Sequence, residues 1–264
     1  MTLEKIGQHQ VQETLLLPLR GKALDYRTAA PVLGDRWSDE VLSRIGPLRF
    51  KMRLGSLDRY IPVLRAHRMD EWAREFLSRH TDAVVLHLGC GLDSRAFRLD
   101  LPERVQWFDV DFPEVIELRR SFYPDRPRYR LVAGSVTEPA WLDDVPVGRP
   151  VLVIAEGLLM YLSEADVAQL LGRLIDRFGG GELIFDVMTE ANAKIAGWFG
   201  YTVWGIGDPR ELERTHPLTL LEAVPALADH RLIRSTGWRL YNAVQYRNPL
   251  YRNGIRSLRY RFGG

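Results

Sequence analysis

The run Val84-Val-Leu-His-Leu-Gly-Cys-Gly-Leu-Asp93 decides how this chain is read. Ala83–Leu88 is aliphatic apart from His87, has the length of a strand, and stops at Gly89 and Gly91. Glycines directly after a buried strand let the backbone turn sharply and approach a ligand where a Cβ would collide. A helix-compatible stretch follows from Ser94, and amides at a helix N-terminus face such a ligand. Only two glycines of a G-x-G-x-x-G pattern are present, because Ser94 stands at the third position. Two glycines also fit a tight strand–helix turn with no ligand, so the flanking sequence has to decide.

Downstream, strand-like and helix-like segments alternate. Val105–Val110, Tyr129–Val132, Val151–Ala155 and Glu182–Val187 read as strands. Val151–Ala155 is apolar throughout, as a strand buried on both faces should be. Val115–Ser121 and Glu164–Phe178 read as helices. In the second, Val167, Leu170, Leu171, Leu174, Ile175 and Phe178 form one stripe, and Gly179–Gly181 stops it. This alternation predicts an α/β fold with a mostly parallel sheet covered by helices on both faces. Upstream, Leu15–Leu19, Val41–Ile45 and Ile61–Ser78 have helical spacing. Residues 1–80 are therefore expected to form a helical cap, and 81–264 the core. Residues 190–230 break the rhythm and predict a lid insertion after the fifth strand. Leu232–Leu240 and Ser257–Phe262 are the expected final strands. In the latter, Leu258, Tyr260 and Phe262 share one face.

The 264 residues suffice for one large domain, and 46% apolar with 27% charged residues is ordinary for a globular protein. A single cysteine, Cys90, excludes an intramolecular disulfide and a cysteine-cluster metal site. Met1–Gln12 is polar and shows no secretory signal, and no apolar stretch approaches a membrane span. A cytoplasmic, metal-free protein is expected, with neither nucleic acid nor a membrane as partner. The net charge of +2 is nevertheless a sum of unequal parts. No acidic residue follows Asp229. Arg231, Arg234, Arg239, Arg247, Arg252, Arg256, Arg259 and Arg261 do, so the last 35 residues carry +8 and the first 229 carry −6. This segment is expected to dock on the acidic body or on a second copy in a homodimer, with Arg247–Arg261 the place to look for a local anion site.

Two acidic residues add to the glycine turn. Asp111 lies 22 residues after Gly89 and closes the second strand, Gln106-Trp-Phe-Asp-Val-Asp111. A carboxylate there can accept hydrogen bonds from both hydroxyls of a nucleoside ribose. Asp109 shares its face and reads as a solvated neighbour. Glu156 follows the fourth strand in Ala155-Glu-Gly-Leu-Leu-Met-Tyr161. A charge at the end of an apolar run is costly without a partner, and the carboxyl edge of an open α/β sheet is where ligands bind. Glu156 could hold an ammonium group; the alternative is an exposed carboxylate past the strand.

Three segments, Leu88-Gly-Cys-Gly-Leu-Asp-Ser-Arg95, Asp109-Val-Asp-Phe-Pro-Glu-Val-Ile116 and Ala155-Glu-Gly-Leu-Leu-Met-Tyr-Leu162, occur in this order. Together they resemble the leucine carboxyl methyltransferase family, in its bacterial branch of polyketide O-methyltransferase-like proteins. Thr14–Pro18, and Arg65 before Asp70, match more loosely. The resemblance runs from about residue 12 to about residue 190. It implies a Rossmann-like class I methyltransferase with a seven-stranded sheet, using S-adenosylmethionine. Carried over, Gly89 and Gly91 lie under the methionine and ribose, and Asp111 binds the ribose hydroxyls. Glu156 lies near the methionine end, and Arg65 faces the cofactor or substrate carboxylate. Adenine lies beside Ala133-Gly-Ser-Val136, with Ser135 and Val136 nearest. Lys22 aligns with a basic residue near the substrate. His87 stands where many relatives carry an acid and is expected to be a core histidine.

The implied reaction is methyl transfer to a carboxylate or hydroxyl of a small, aromatic or polyketide-like acceptor. Arg65, Lys22, Tyr161 and Trp204 are the residues expected to position that acceptor. Trp198, Phe199 and Tyr201 extend the same aromatic group. His67, His216 and His230 cannot be ranked as bases from sequence. The alternatives are a protein C-terminal carboxyl methyltransferase and, in another class, an NAD-dependent Rossmann oxidoreductase or a non-catalytic nucleotide-binding module. The missing third glycine and the Glu-Gly-x-x-Met-Tyr segment disfavour the last two.

Overall fold

The computed structural model describes residues 9–45, 59–198 and 203–263. Three helices come first: α1 (His9–Tyr26), α2 (Arg36–Ile45) and α3 (Tyr60–Arg79). Strands and helices then alternate: β1 (Val84–Leu88), α4 (Arg95–Arg98), β2 (Gln106–Asp111), α5 (Pro113–Phe122), β3 (Tyr129–Ala133), β4 (Val151–Ala155), α6 (Glu164–Phe178) and β5 (Gly181–Met188). The last part holds α7 (Glu190–Trp198), α8 (Glu211–Thr215), β6 (Leu218–Pro225), α9 (Thr236–Arg247), α10 (Pro249–Arg252) and β7 (Ile255–Phe262).

The seven strands form one sheet in the order β3-β2-β1-β4-β5-β7-β6. The β1 to β5 pairings are parallel, and β7 runs antiparallel between β5 and β6. The order reverses between β1 and β4, so their carboxyl ends open a crevice at the switch point. The strands' apolar alternation makes two cores. Val84, Leu86, Leu88, Val153 and Phe185 face α6, through Val167, Leu170 and Leu174. Val85, Trp107, Leu152 and Ile154 face α3, through Met69, Trp72 and Phe76. The helix α3 thus anchors the N-terminal layer to the sheet.

Two expectations are corrected. Leu232–Leu240 is not a strand. It leaves a 3-10 turn at His230–Leu232 and enters α9, in which Trp238, Asn242 and Tyr246 recur at i, i+4 and i+8 and turn inward. The missing strand is β6, which lies inside the segment expected to be an insertion. It is an edge strand, mostly half-exposed, bulged between Leu220 and Glu222, and ended by Pro225. Among the described residues, α7 and α8 stand between β5 and β6. In β7, Leu258, Tyr260 and Phe262 do share the buried face.

Candidate active site

The turn after β1 brings Gly89 and Gly91 to the crevice with φ of +59° and +50°. A Cβ at Gly89 would approach Leu158 Cδ1 to 2.8 Å, and one at Gly91 would approach Leu15 Cδ1 to 2.9 Å. The backbone conformation therefore favours glycine at both positions, and a Cβ would also have to push a leucine side chain aside. Arg119 of α5 fixes the turn from behind, donating to Gly91 O at 2.8 Å and Asp93 O at 2.9 Å. Its other terminal nitrogen pairs with Asp109, which also accepts from Tyr129 at 2.6 Å and Trp107 Nε1 at 2.8 Å. His87 Nδ1 lies 3.0 Å from the same carboxylate. Asp109 is therefore a fully buried hub, not a solvated neighbour. Burial opposes its charge, but Arg119 and the surrounding donors hold its pKa down at about 2. His87 is buried as expected of a core histidine.

Asp111 ends β2 beside the turn. Its Oδ2 accepts Gly91 N–H at 2.7 Å, and its Oδ1 accepts Phe112 N–H at 2.8 Å. Burial pushes its pKa upward, against these two amides. Each oxygen keeps a further lone pair for a hydroxyl donor. Gly134 N–H donates to Asp111 O at 2.9 Å, which sets the β3 loop beside it. There Ser135 Oγ bonds Thr137 Oγ1 at 2.7 Å, while the Val136 side chain is buried in the core.

Glu156 leaves β4 and is buried, its side chain 4% exposed. It accepts from Arg95 Nη2 at 2.5 Å and Arg65 Nη2 at 3.1 Å, and Lys22 Nζ stands 3.4 Å away. Burial opposes its charge, but Lys22, Arg65 and Arg95 hold the carboxyl well below the usual range. Lys22 comes from α1 and Arg65 from α3, so neither is a surface charge. Asp186, in β5, takes Arg65 Nη1 at 2.8 Å. Lys22 and Arg98 pair with Asp93, each at 2.5 Å. Arg95 and Arg98 both pair with Asp70, and Arg98 reaches Asp35 at 3.7 Å. Among the described residues and the ion pairs above, nine buried charges are thus linked. Five are acids (Asp35, Asp70, Asp93, Glu156, Asp186) and four are bases (Lys22, Arg65, Arg95, Arg98). Their balance of −1 favours a ligand that brings positive charge, since buried charge is costly unless compensated.

Tyr161 lies in a 3-10 turn, 43% exposed, near Arg65. Trp204 is half-buried, and its backbone N–H donates to Met160 O at 2.7 Å, so both aromatics flank the Glu156 segment. Trp198 is 83% exposed. Phe199 and Tyr201 lie outside the described residues. His67 pairs with Glu71, His216 bonds Ala168 O, and His230 bonds Leu227 O, so none of the three joins the cage. Arg95, Arg98, Asp35, Asp70, Asp93 and Asp186 are cage residues that the sequence reading does not name as site residues. Arg95 and Asp93 stood in the quoted glycine motif, and Asp186 was the charge inside the fifth strand, between Phe185 and Val187.

Glycines in the left-handed conformation at the crevice, a strand-end carboxylate with free lone pairs, and a cage one charge negative fit a cofactor with a ribose and an ammonium group. The sequence profile described as leucine carboxyl methyltransferase matches residues 49–126. The chain is 44% identical to tetracenomycin polyketide synthesis O-methyltransferase TcmP of Streptomyces glaucescens, covering 98% of this chain and 99% of that one. The chain belongs to the leucine carboxyl methyltransferase family. This places it among the S-adenosylmethionine-dependent class I methyltransferases. The S-adenosyl-L-methionine-dependent methyltransferase dpfgK of Gibberella zeae is a second relative of this family member, 35% identical over 89% of this chain and 88% of that one. Among solved structures, a methyltransferase of Thermobifida fusca superposes with a TM-score of 0.59 at 16% identity, covering 92% and 94% of the two chains. Magnesium protoporphyrin IX methyltransferase of Synechocystis, solved with S-adenosylhomocysteine, gives 0.52 at 9% identity over 81% and 90%. These two likenesses are of fold. No helix among the described residues is long and apolar enough to cross a membrane.

Proposed function

We propose that this family member transfers the methyl group of S-adenosylmethionine to a carboxylate or hydroxyl oxygen of a small, aromatic or polyketide-like metabolite. The observation that carries this is Glu156, ionised at the switch-point crevice beside the glycine turn, within a buried cage one charge negative. When bound, S-adenosylmethionine supplies a methyl group already activated by its sulfonium. The chain's own task is to orient two reactants and exclude water.

In this reading Gly89 and Gly91 leave room for the cofactor backbone. Asp111 accepts from the ribose hydroxyls with the lone pairs that Gly91 and Phe112 leave unused. Ser135 and the Val136 backbone border the adenine. Glu156 takes the ammonium, and Arg65 the carboxylate. Lys22, Tyr161 and Trp204 position the acceptor, and α1–α3 form the acceptor layer over a core that starts near residue 81. A carboxylate acceptor is already ionised and needs no general base, whereas a hydroxyl gains from one. The buried, reduced Cys90 suits a cytoplasmic protein.

Calorimetry tests the reading. Micromolar binding of S-adenosylhomocysteine with no binding of NADH supports it, and the reverse overturns it. Incubation of the chain with S-adenosylmethionine and a panel of aromatic acids and phenols should add one methyl mass to the acceptor.

A further inference from the structure

The arginine-rich end of the chain divides in two. Arg256 and Arg259 turn inward. Arg256 donates to Gly207 O at 3.1 Å, and Arg259 pairs with Glu182, Glu75 and Glu222. Arg231, Arg234, Arg239, Arg247 and Arg252 are exposed, and none forms an ion pair among the described residues. No acid stands near them in sequence: none follows Asp229, which is itself taken by Arg68.

The same surface exposes apolar side chains. The inner face of α9 is Trp238, Asn242 and Tyr246, packed toward Tyr60, Val63 and Leu64 of α3. Its outer face is Thr236, Arg239, Leu240, Val244 and Arg247. Leu240 is 65% exposed and Val244, one turn on, 56%. Leu250 and Tyr251 of α10 and Leu232 before α9 are also exposed. Single exposed apolar residues are normal, but a group of five amid unpaired arginines calls for a partner.

We propose that the outer face of α9 and α10 docks on an anionic lipid bilayer, with Leu240, Val244 and Leu250 at the headgroup boundary and the arginines at the phosphates. An interfacial helix has this composition, apolar in the middle with long cationic side chains at its flanks. Competing occupants fit less well. A two-fold contact with a second copy would set arginines against arginines. RNA binding stacks bases on several exposed aromatics, yet Tyr251 is the one exposed aromatic of α9 and α10, and Trp238, Tyr241 and Tyr246 are half-buried. The centre of a protein interface is depleted of charge, whereas here every exposed apolar residue has an arginine close by in sequence. The expectation of no membrane partner rested on the summed charge and on the lack of a spanning segment. Neither speaks to a patch of this kind.

Flotation of the full chain with vesicles tests the proposal. The chain should rise with phosphatidylcholine vesicles containing about one-third phosphatidylglycerol, and not with pure phosphatidylcholine. Added salt should release it. The triple variant Arg239→Glu, Arg247→Glu, Arg252→Glu should lower the partition about a hundredfold or more. The pair Leu240→Asn, Val244→Asn keeps the charge and should lower it about tenfold or more. All these side chains are exposed, so melting temperature and S-adenosylhomocysteine affinity should stay at wild-type values, which separates a docking defect from misfolding. Failure to float with anionic vesicles, equal flotation with both compositions, or an undiminished triple variant overturns the proposal. So does binding of polyglutamate or single-stranded RNA as tight as that of anionic vesicles at the same ionic strength, which would make the surface a general anion binder.

Discussion

Arg65 Nη1 and Asp186 Oδ2 meet at 2.8 Å in a fully buried pair, and the second oxygen of Asp186 accepts the Gly157 N–H at 2.5 Å. One carboxylate therefore ties the helix that carries Arg65 to the turn that follows Glu156. Burial pushes the Asp186 pKa up, against Arg65 and the Gly157 amide, so the pair is held at an energetic cost. The Asp186→Asn variant keeps the shape and removes the charge. It should lose about 3 kcal/mol of stability, the low end for a broken buried pair because Arg65 keeps Glu156. If Asp186 also aims Arg65, the variant's Kd for S-adenosylhomocysteine should rise at least about tenfold in calorimetry. A lower melting temperature with unchanged affinity would reduce Asp186 to a structural role.

The ribose assignment stands on Asp111. Its replacement by Ala removes the acceptor for Gly91 N–H along with the oxygens offered to the hydroxyls. Calorimetry on Asp111→Ala should show no S-adenosylhomocysteine binding. Affinity retained within about twofold of wild type, a difference under about 0.4 kcal/mol, would falsify the assignment.

Gly91→Ala probes the turn without touching a charge. A β-carbon at φ +50° is strained by about 1–2 kcal/mol, and it collides with Leu15 of α1. Thermal unfolding should show a loss of roughly that size or more, and cofactor affinity should fall with it. Ala at Gly172, which has nothing within 4 Å and lies in α6, should leave binding unchanged.

The cage also sets the acid limit of the fold. Asp70, Asp93, Asp109 and Glu156 all have depressed pKa values in the folded chain, each held down by arginines or by Lys22 against burial. The unfolded carboxyls titrate near about 4. Depressed acids contribute stability that is fully present above the unfolded value and is lost as pH falls through the folded one. Melting temperature should be nearly level from about pH 6 to pH 5, then fall steeply from about pH 4 through the folded value of Asp109 at about 2, and go on falling below it because Glu156 is held lower still. A flat profile through that range would show that the ion pairs do not stabilise the ligand-free protein.

The sequence was most legible where a local pattern and a buried position agree. Val151–Ala155 is apolar at every position, and Glu164–Phe178 opens with Ser163 capping Asp166 N–H and closes on Gly179 in the left-handed conformation. Both segments have the bounds their patterns predicted. Edge strand β6 was hidden because only one of its sides packs, so its alternation is faint. Leu232–Leu240 misled because Leu232 and Ile233 carry strand propensity just before a helix whose inward positions are Trp, Asn and Tyr. In the site, the glycines and strand-end acids were readable because the turn is local. The cage was not, because Asp35, Asp70 and Asp186 reach it from segments far apart in sequence, and pairing across such distances leaves no spacing signal.

Arg119 links the Asp109 hub of β2 to the carbonyls of Gly91 and Asp93 in the turn after β1. The turn's shape is therefore set when the sheet and α5 assemble, through partners that no ligand displaces. A visiting cofactor meets a finished surface and does not have to order the backbone on arrival. Cofactor exchange in such a protein is governed by contacts made and broken at the rim, and the turn should show the same slow amide exchange with and without its guest.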